Sequence, residues 1–157
     1  MTSTQCEIRV RRAQPDEAEV LNEVITHSKS YWGYDPSFIE VYRSFLSLPP
    51  EAIEYHPVYC AQVGDTIAGV LCFKNVGYAE IELSHLFVEP AFIGQGIGKL
   101  LWYHAVALAR SMGAKALVCD ADPHACSFYK QMGAVVEGYH VSTVIAALRI
   151  PRMRYIL

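Results

Sequence analysis

Nowhere in the 157 residues do about 18 apolar side chains follow one another without interruption, the length a helix needs to cross a bilayer. The first 17 residues, MTSTQCEIRVRRAQPDE, also become charged before an apolar stretch of signal-peptide length can develop. The expected location is therefore the cytoplasm, with no membrane partner. Basic side chains are scarce as well: 13 Lys and Arg stand against 16 Asp and Glu, for a net charge of −3. RVRR near the start and RIPRMR near the end are locally positive but too short for a binding surface, which argues against nucleic acid as a partner. The five cysteines, Cys6, Cys60, Cys72, Cys119 and Cys126, are odd in number, scattered and mostly set in apolar stretches. That suits reduced core thiols in a reducing compartment better than a disulfide framework. Low-complexity segments and internal repeats are lacking too. With 52% hydrophobic residues, the length suits one core, so residues 1–157 are expected to form a single compact domain.

What is present alternates between strand and helix patterns. CEIRVRRA, residues 6–13, alternates apolar and charged side chains as a half-buried strand does, and residues 15–30 follow with Pro15 and acidic residues suited to a helix start. Residues 37–48 carry Phe38, Ile39, Tyr42, Phe45 and Leu46 at helical spacing and stop before Pro49 and Pro50. Residues 57–63 and 67–74 flank a Gly-Asp turn, and 79–90 make a third β-like run, so an antiparallel meander is predicted. From Gly96 the period changes: Ile97, Leu100, Leu101, Ala105, Leu108 and Met112 line one helical face, and Gly113 fits the position that closes the helix. KALVCD reads as a buried strand, residues 122–132 as a helix capped by Asp122 with Pro123 at its first position, and 134–141 as another strand. The end of the final stretch, 142–157, is expected to add an edge strand. The order favours a mixed α/β sheet.

FIGQGIGKLL, residues 92–101, places three glycines immediately before a helix. A dinucleotide fingerprint fails there, because Gly94-Gln95-Gly96 puts Lys99 where the last small residue belongs. A Walker-type loop fails too: Ile93 stands in place of the first glycine and Leu100 in place of the magnesium-holding hydroxyl. Two readings stay open, a structural turn or a cradle of helix-end N–H groups for pyrophosphate oxygens.

The chain resembles the GNAT superfamily of N-acetyltransferases on two elements in the right order. Val88-Glu89-Pro90 followed by Ile93-Gly94-Gln95-Gly96-Ile97-Gly98 is similar to that family's pyrophosphate loop, with Ile93 in place of a leading Gln or Arg. Asp122-Pro123-His124-Ala125-Cys126-Ser127-Phe128-Tyr129, leading to Gly133-Ala134, is similar to its Asn-x-x-Ala-x-x-Phe-Tyr helix and the Gly-Phe pair after it, with Asp for Asn and Ala for Phe. The resemblance implies a GNAT-like mixed, mainly antiparallel sheet flanked by helices, with acetyl-CoA as cosubstrate. It also implies direct transfer of the acetyl group to a primary amine of a small molecule or peptide. A noncatalytic acyl-CoA sensor that keeps only the cradle is the alternative. Whether the domain pairs as a homodimer is open.

By that resemblance, the backbone of Gly94, Gln95, Gly96, Ile97, Gly98 and Lys99, with Ile93 before them, would receive the pyrophosphate. Leu86, Phe87 and Val88 would offer main-chain bonds to pantetheine and to the thioester oxygen, and Asp122 and Phe128 would complete the cofactor site. Tyr129 is the implied acid for the departing thiolate. A phenol of pKa about 10 is a poor acid toward a thiolate of about 8.5, so hydrogen bonding to the sulfur can matter as much as transfer. An alkylammonium of pKa about 10.4 must lose a proton, and Glu82 and His85 are the candidate bases. Strand alternation puts Glu80, Glu82 and Ser84 on one face and His85 on the other, so both reach one pocket only if the strand bends. Tyr31, Trp32, Tyr34 and Asp35 are candidate acceptor contacts through cation-π and charge, although Asp35-Pro36 is equally a helix cap and first residue. Cys119, Asp120, Asp122, His124 and Cys126 lack paired zinc spacing, so no metal is expected: Cys119 reads as core, Asp122 as a cap and His124 as solvated.

Overall fold

The computed structural model describes residues 7–157, which leaves Cys6 outside the described residues. Strand β1 (Ile8–Arg12) pairs antiparallel with β2 (Val58–Val63), which pairs with β3 (Thr66–Lys74), which pairs with β4 (Glu80–Val88). The meander predicted from the turn chemistry is thus present. Beyond it lie β5 (Ala116–Asp120), β6 (Val135–Val141) and β7 (Arg149–Ile156), and the sheet order is β1-β2-β3-β4-β5-β7-β6. Only β4 and β5 run parallel, joined by the crossover helix α4 (Ile97–Ser111). This is the mixed, mainly antiparallel sheet expected from the sequence.

The C-terminal strand corrects one expectation: β7 lies between β5 and β6, and β6 is the edge. A proline is normally confined to an edge because it removes a ladder donor. Here Pro151 accepts from the Ala121 N–H, so its nitrogen faces the same side, just past Asp120 where β5 ends. The missing donor costs no ladder bond, and Met153 two residues on is buried at 1% exposure.

Helices cover both faces. On one, α1 (Ala18–Ser30), α2 (Pro36–Leu46) and α3 (Pro50–Tyr55) bury Leu21, Val24, Ile25 and Ile53 with Val58, Cys60, Val70 and Cys72. The short α3 goes unread in the sequence because one and a half turns show no periodicity. On the other face, α4 buries Ile97, Leu101, Trp102, Ala105, Val106 and Ala109 against Leu71, Phe73 and Ile81, with α5 (Cys126–Gln131) beside it. Each fully buried aliphatic chain contributes roughly 1.5–3 kcal/mol. Met112, predicted for the α4 face, is 42% exposed and stands at the C-cap, one residue past the end of the helix. Gly69 lets α4 come close: a Cβ there would stand 2.8 Å from Leu101 and 3.0 Å from Ile97.

Two irregularities in β4 position the site. Its pairing with β5 covers only Glu80, Ile81 and Glu82; beyond Glu82 the two strands part, while β5 stays paired with β7 along its other edge from Ala116 to Asp120. A V-shaped cleft opens there. In the β3 ladder, Cys72 pairs with His85 and Phe73 with Leu83, so Ser84 is the extra residue of a β-bulge. The bulge resets the alternation. Ile81 and Leu83 face α4, yet beyond the bulge it is Leu86 and Val88 that face it, while His85 and Phe87 join Glu82 on the α1–α2 side. The expectation of opposite faces for Glu82 and His85 is overturned by that one inserted residue.

Candidate functional site

The cleft between β4 and β5 has a volume of about 670 Å³. Leu86, Phe87, Val88, Ile93, Gly98 and Phe128 line one end of it, and Tyr31, Trp32, Glu82 and His85 the other, with Asp122 and Tyr129 on the β5–α5 wall. The structure therefore gathers most of the sequence-proposed residues around one cavity. Tyr34 and Asp35 do not line it, nor do Gly94, Gln95, Gly96, Ile97 and Lys99.

At the loop end the available groups are main-chain. Gly94 (φ 87°) and Gly96 (φ 81°) take the left-handed backbone that lets the chain turn into α4, with Gly96 as its N-cap. Gly96 has no side chain to cap the helix, so the first-turn N–H groups of Ile97, Gly98 and Lys99 are left to an outside acceptor. A Cβ on Gly98 would fill the space beside the Phe128 ring at 3.5 Å and Val88 at 3.7 Å. The Ile97 side chain is core at 1% exposure, and Lys99 points outward over the Tyr103 ring at 5.8 Å. Beyond Glu82, the β5-facing edge of β4 has no strand beside it among the described residues. A helix end that offers N–H groups and an open strand edge fit a pyrophosphate followed by an amide-bearing pantetheine arm.

Tyr129, at 6% exposure, lies deep in the wall. Burial pushes its phenol well above the ordinary range, and nearby Cys119 and Asp122 push the same way. Cys119 lies beside it in the same wall, and burial raises that thiol to about 12.

The far end is made of side chains. Glu82 accepts from Asn75 Nδ2 at 2.5 Å and forms no ion pair among the described residues. Asp120, also in the cleft, is held by Arg152 at 3.2 Å. His85 is 1% exposed with both ring nitrogens engaged. The Leu46 carbonyl can only accept, so Nε2–H donates to it (2.9 Å) and Nδ1 accepts from Ser84 Oγ (2.7 Å). Burial lowers its pKa to about 4, more than the Leu46 bond restores. The ring is committed to fastening the end of α2 to β4.

Asp35 is spent as the α2 cap: its Oδ1 accepts from Ser37 N at 2.9 Å and Ser37 Oγ at 2.7 Å. Asp122 caps the turn into α5 as expected, and it does more. Its carboxylate accepts from Lys29 Nζ (3.0 Å), Tyr34 Oη (2.9 Å), His124 N (2.9 Å) and His124 Nδ1 (2.8 Å). Burial acts to raise its pKa, but Lys29 and the His124 bonds outweigh that and hold it low. His124, read as solvated, is exposed yet tethered, and its ring stacks on Trp32 at 4.9 Å and 7°. Sequence reasoning missed Lys29, Tyr42, Phe45 and His140, all of which line the cleft. They come from three separate elements, α1, α2 and β6, and no local motif marks them. Among the described residues, no group of three or more His, Cys, Asp or Glu side chains converges on a metal-sized point, and no helix is long and apolar enough to cross a membrane.

Comparison with known proteins matches residues 21–134 to the Acetyltransferase (GNAT) family. The peptidyl-lysine N-acetyltransferase YjaB of Salmonella typhimurium is 31% identical over 140 residues, which cover 83% of this chain and 86% of that protein. The PaiA N-acetyltransferase of Thermoplasma acidophilum, solved in complex with coenzyme A, superposes with a TM-score of 0.81 at 20% identity, over 96% of this chain and 99% of that one. YncA of Salmonella typhimurium, solved with its cofactor acetyl-CoA, superposes with a TM-score of 0.71 at 17% identity, over 96% and 94%.

Proposed function

Because the chain belongs to the GNAT acetyltransferase family and is an acetyl-CoA-dependent N-acetyltransferase, we propose that its acceptor is the side-chain amine of a peptidyl lysine and that Glu82 takes the proton from it. One observation carries this reading: Glu82, at the end of the cleft away from the glycine loop, is a carboxylate hydrogen-bonded to neutral Asn75 that forms no ion pair among the described residues, even with Lys74 opposite it on β3. An alkylammonium finds its counter-charge there, while Tyr42, Phe45 and Leu46 offer apolar surface for a four-carbon stem. Tyr31 (53% exposed), Trp32 (39%) and Phe45 (49%) leave an aromatic rim at the mouth, broad enough to hold polypeptide on either side of the lysine. The activity in YjaB's name is of the same kind.

Acetyl-CoA supplies the acetyl group as a thioester, and its transfer to an amine releases the free thiol. Toward it, the N–H groups of Ile97, Gly98 and Lys99 hold the pyrophosphate, and the open edge of β4 from Leu86 to Val88 orients the pantetheine arm. Phe128 and Val88 flank the glycine where the cofactor approaches. Tyr129 stays protonated at any physiological pH, so it acts as a hydrogen-bond donor to the departing sulfur rather than a stoichiometric acid. His85 is not the base: its nitrogens are occupied and its basicity is suppressed. Asp35 contributes a helix cap instead of an acceptor contact.

The test is an acceptor panel that follows thiol release and locates the acetyl group by mass spectrometry. Peptides with blocked termini and an internal lysine are expected to be modified at Nζ, and Tyr129→Phe to lower kcat by about tenfold without changing acetyl-CoA affinity. Turnover confined to free small amines or to peptide α-amines would overturn the lysine assignment.

A further inference from the structure

Three elements meet across the middle of the cleft through side chains that neither sequence motif contains in full. Lys29 is the penultimate residue of α1, Trp32 and Tyr34 lie in the α1–α2 connection, and Asp122 and His124 lie between β5 and α5. Lys29 and Asp122 form an ion pair at 3.0 Å with side chains only 12% and 11% exposed. The Lys29 ammonium also sits over the Tyr42 ring at 4.4 Å, and the Tyr34 hydroxyl joins the same carboxylate oxygen. His124, held by Asp122, presents the plane on which Trp32 stacks. Tyr42 lines the same cleft as Ser142 of the β6–β7 connection.

We propose that Lys29 and Asp122 are a positioning pair for the acceptor: they clasp the α1–α2 arm onto the β5–α5 wall and so hold the Trp32 and Tyr31 rim of the acceptor pocket in place. The family resemblance puts Asp122 at a cofactor contact, whereas in this chain the carboxylate's accepting positions are taken by Lys29, Tyr34 and His124. A cation that would otherwise lie free in the cleft is thereby neutralised beside the place where an ammonium substrate must dock. The pair touches no reacting atom and acts through the aromatic rim.

Removing one charge strands the other in a buried setting, so single variants confound stability with position. The deciding protein is Lys29→Met/Asp122→Asn, which deletes the ion pair, leaves no buried charge and keeps a competent cap, because Asn caps as well as Asp. Lys29→Arg, which keeps the cation, is the rescue control. Two measurements are needed. The first is acrylamide quenching of Trp32 emission; the second tryptophan, Trp102, is 2% exposed in the core, and a Trp32→Phe background subtracts it. The second is the acceptor KM and kcat together with the acetyl-CoA Kd by calorimetry.

The double variant is expected to quench about twofold more readily, to raise acceptor KM by about tenfold and to leave the cofactor Kd within about twofold, with Lys29→Arg near the unaltered protein. Unaltered quenching and KM in a folded double variant would overturn the clasp, as would a Kd that rises in step with KM, which would return Asp122 to the cofactor site. The kinetic arm rests on the acetyl-transfer reading and the emission arm does not. If no acceptor is turned over, the quenching result alone decides the clasp.

Discussion

At the loop end of the cleft, the groups that face a ligand are main-chain: the first-turn N–H groups of α4 and the open edge of β4. At the Glu82 end they are side chains drawn from α1, α2, β4 and the connections around β5 and β6. A main-chain site needs only permissive residues, so its signature is local and written in glycines. A side-chain site needs particular residues brought together by the fold, so its members are distant in sequence. The loop end suits a constant ligand, and the far end is where one acetyltransferase can differ from another.

If the ends divide the work in this way, each can be disabled alone. Glu82→Gln keeps the shape and the Asn75 contact but removes the proton acceptor. It is expected to lower kcat by about 10²-fold or more while calorimetry returns an unchanged acetyl-CoA Kd. A matching loss of cofactor affinity would show that the two ends are not separate.

His85 shows the far end also holding the fold together, and it leaves a pH signature. The folded ring takes a proton only near pH 4, whereas the unfolded ring does so near its ordinary 6.5. Between those values the unfolded chain binds more protons, so stability is complete above about 6.5 and falls as pH drops toward 4, by at most about 3 kcal/mol. Urea unfolding at stepped pH checks this. His85→Gln, which can still donate to Leu46, is expected to flatten the slope over that window, and an unchanged slope would assign it to other groups.

Gly98→Val addresses the opposite end. The position needs no left-handed backbone, and an added Cβ makes only ordinary contact with Phe128 and Val88, so the fold tolerates it. The branched side chain stands where the cofactor approaches, and acetyl-CoA affinity is expected to fall roughly 30-fold, about 2 kcal/mol. Far-UV CD and the Tm should stay close to the parent. Affinity that survives would mean the helix end is only a turn.

Legibility in the sequence follows the same division. The meander, the α4 entrance and the closing Gly113 were readable because turn residues and periodicity are local signals. The place of β7 was not, because strand order depends on pairings far apart in the chain, and nothing local to residues 142–157 shows that they insert between β5 and β6. The common face of Glu82 and His85 was hidden for a subtler reason. Alternation is reliable only while the ladder is regular, and the Ser84 bulge is visible only from the register with β3. Lys29 carried no signal at all: it looked like a lysine near a helix end until Asp122 was found against it.

Asp35 gives the smallest effect and the sharpest question about the far end, because a carboxylate beside aromatic residues reads so naturally as an amine site. Its oxygen accepts from the Ser37 backbone and hydroxyl, and that bonding, more than any cation, holds its pKa below the usual carboxylate range. Asp35→Ala should therefore lower the Tm slightly, as a lost N-cap does, through fraying of the first turn of α2. Acceptor KM should move far less than in a protein lacking the Lys29–Asp122 pair, because Tyr42, Phe45 and Leu46 lie beyond that first turn. Asp35→Asn or Asp35→Ser, which keep the cap and discard the charge, separate the two roles. Restored stability with parental KM identifies a cap, whereas restored stability with a raised KM would put Asp35 back among the residues that attract the amine.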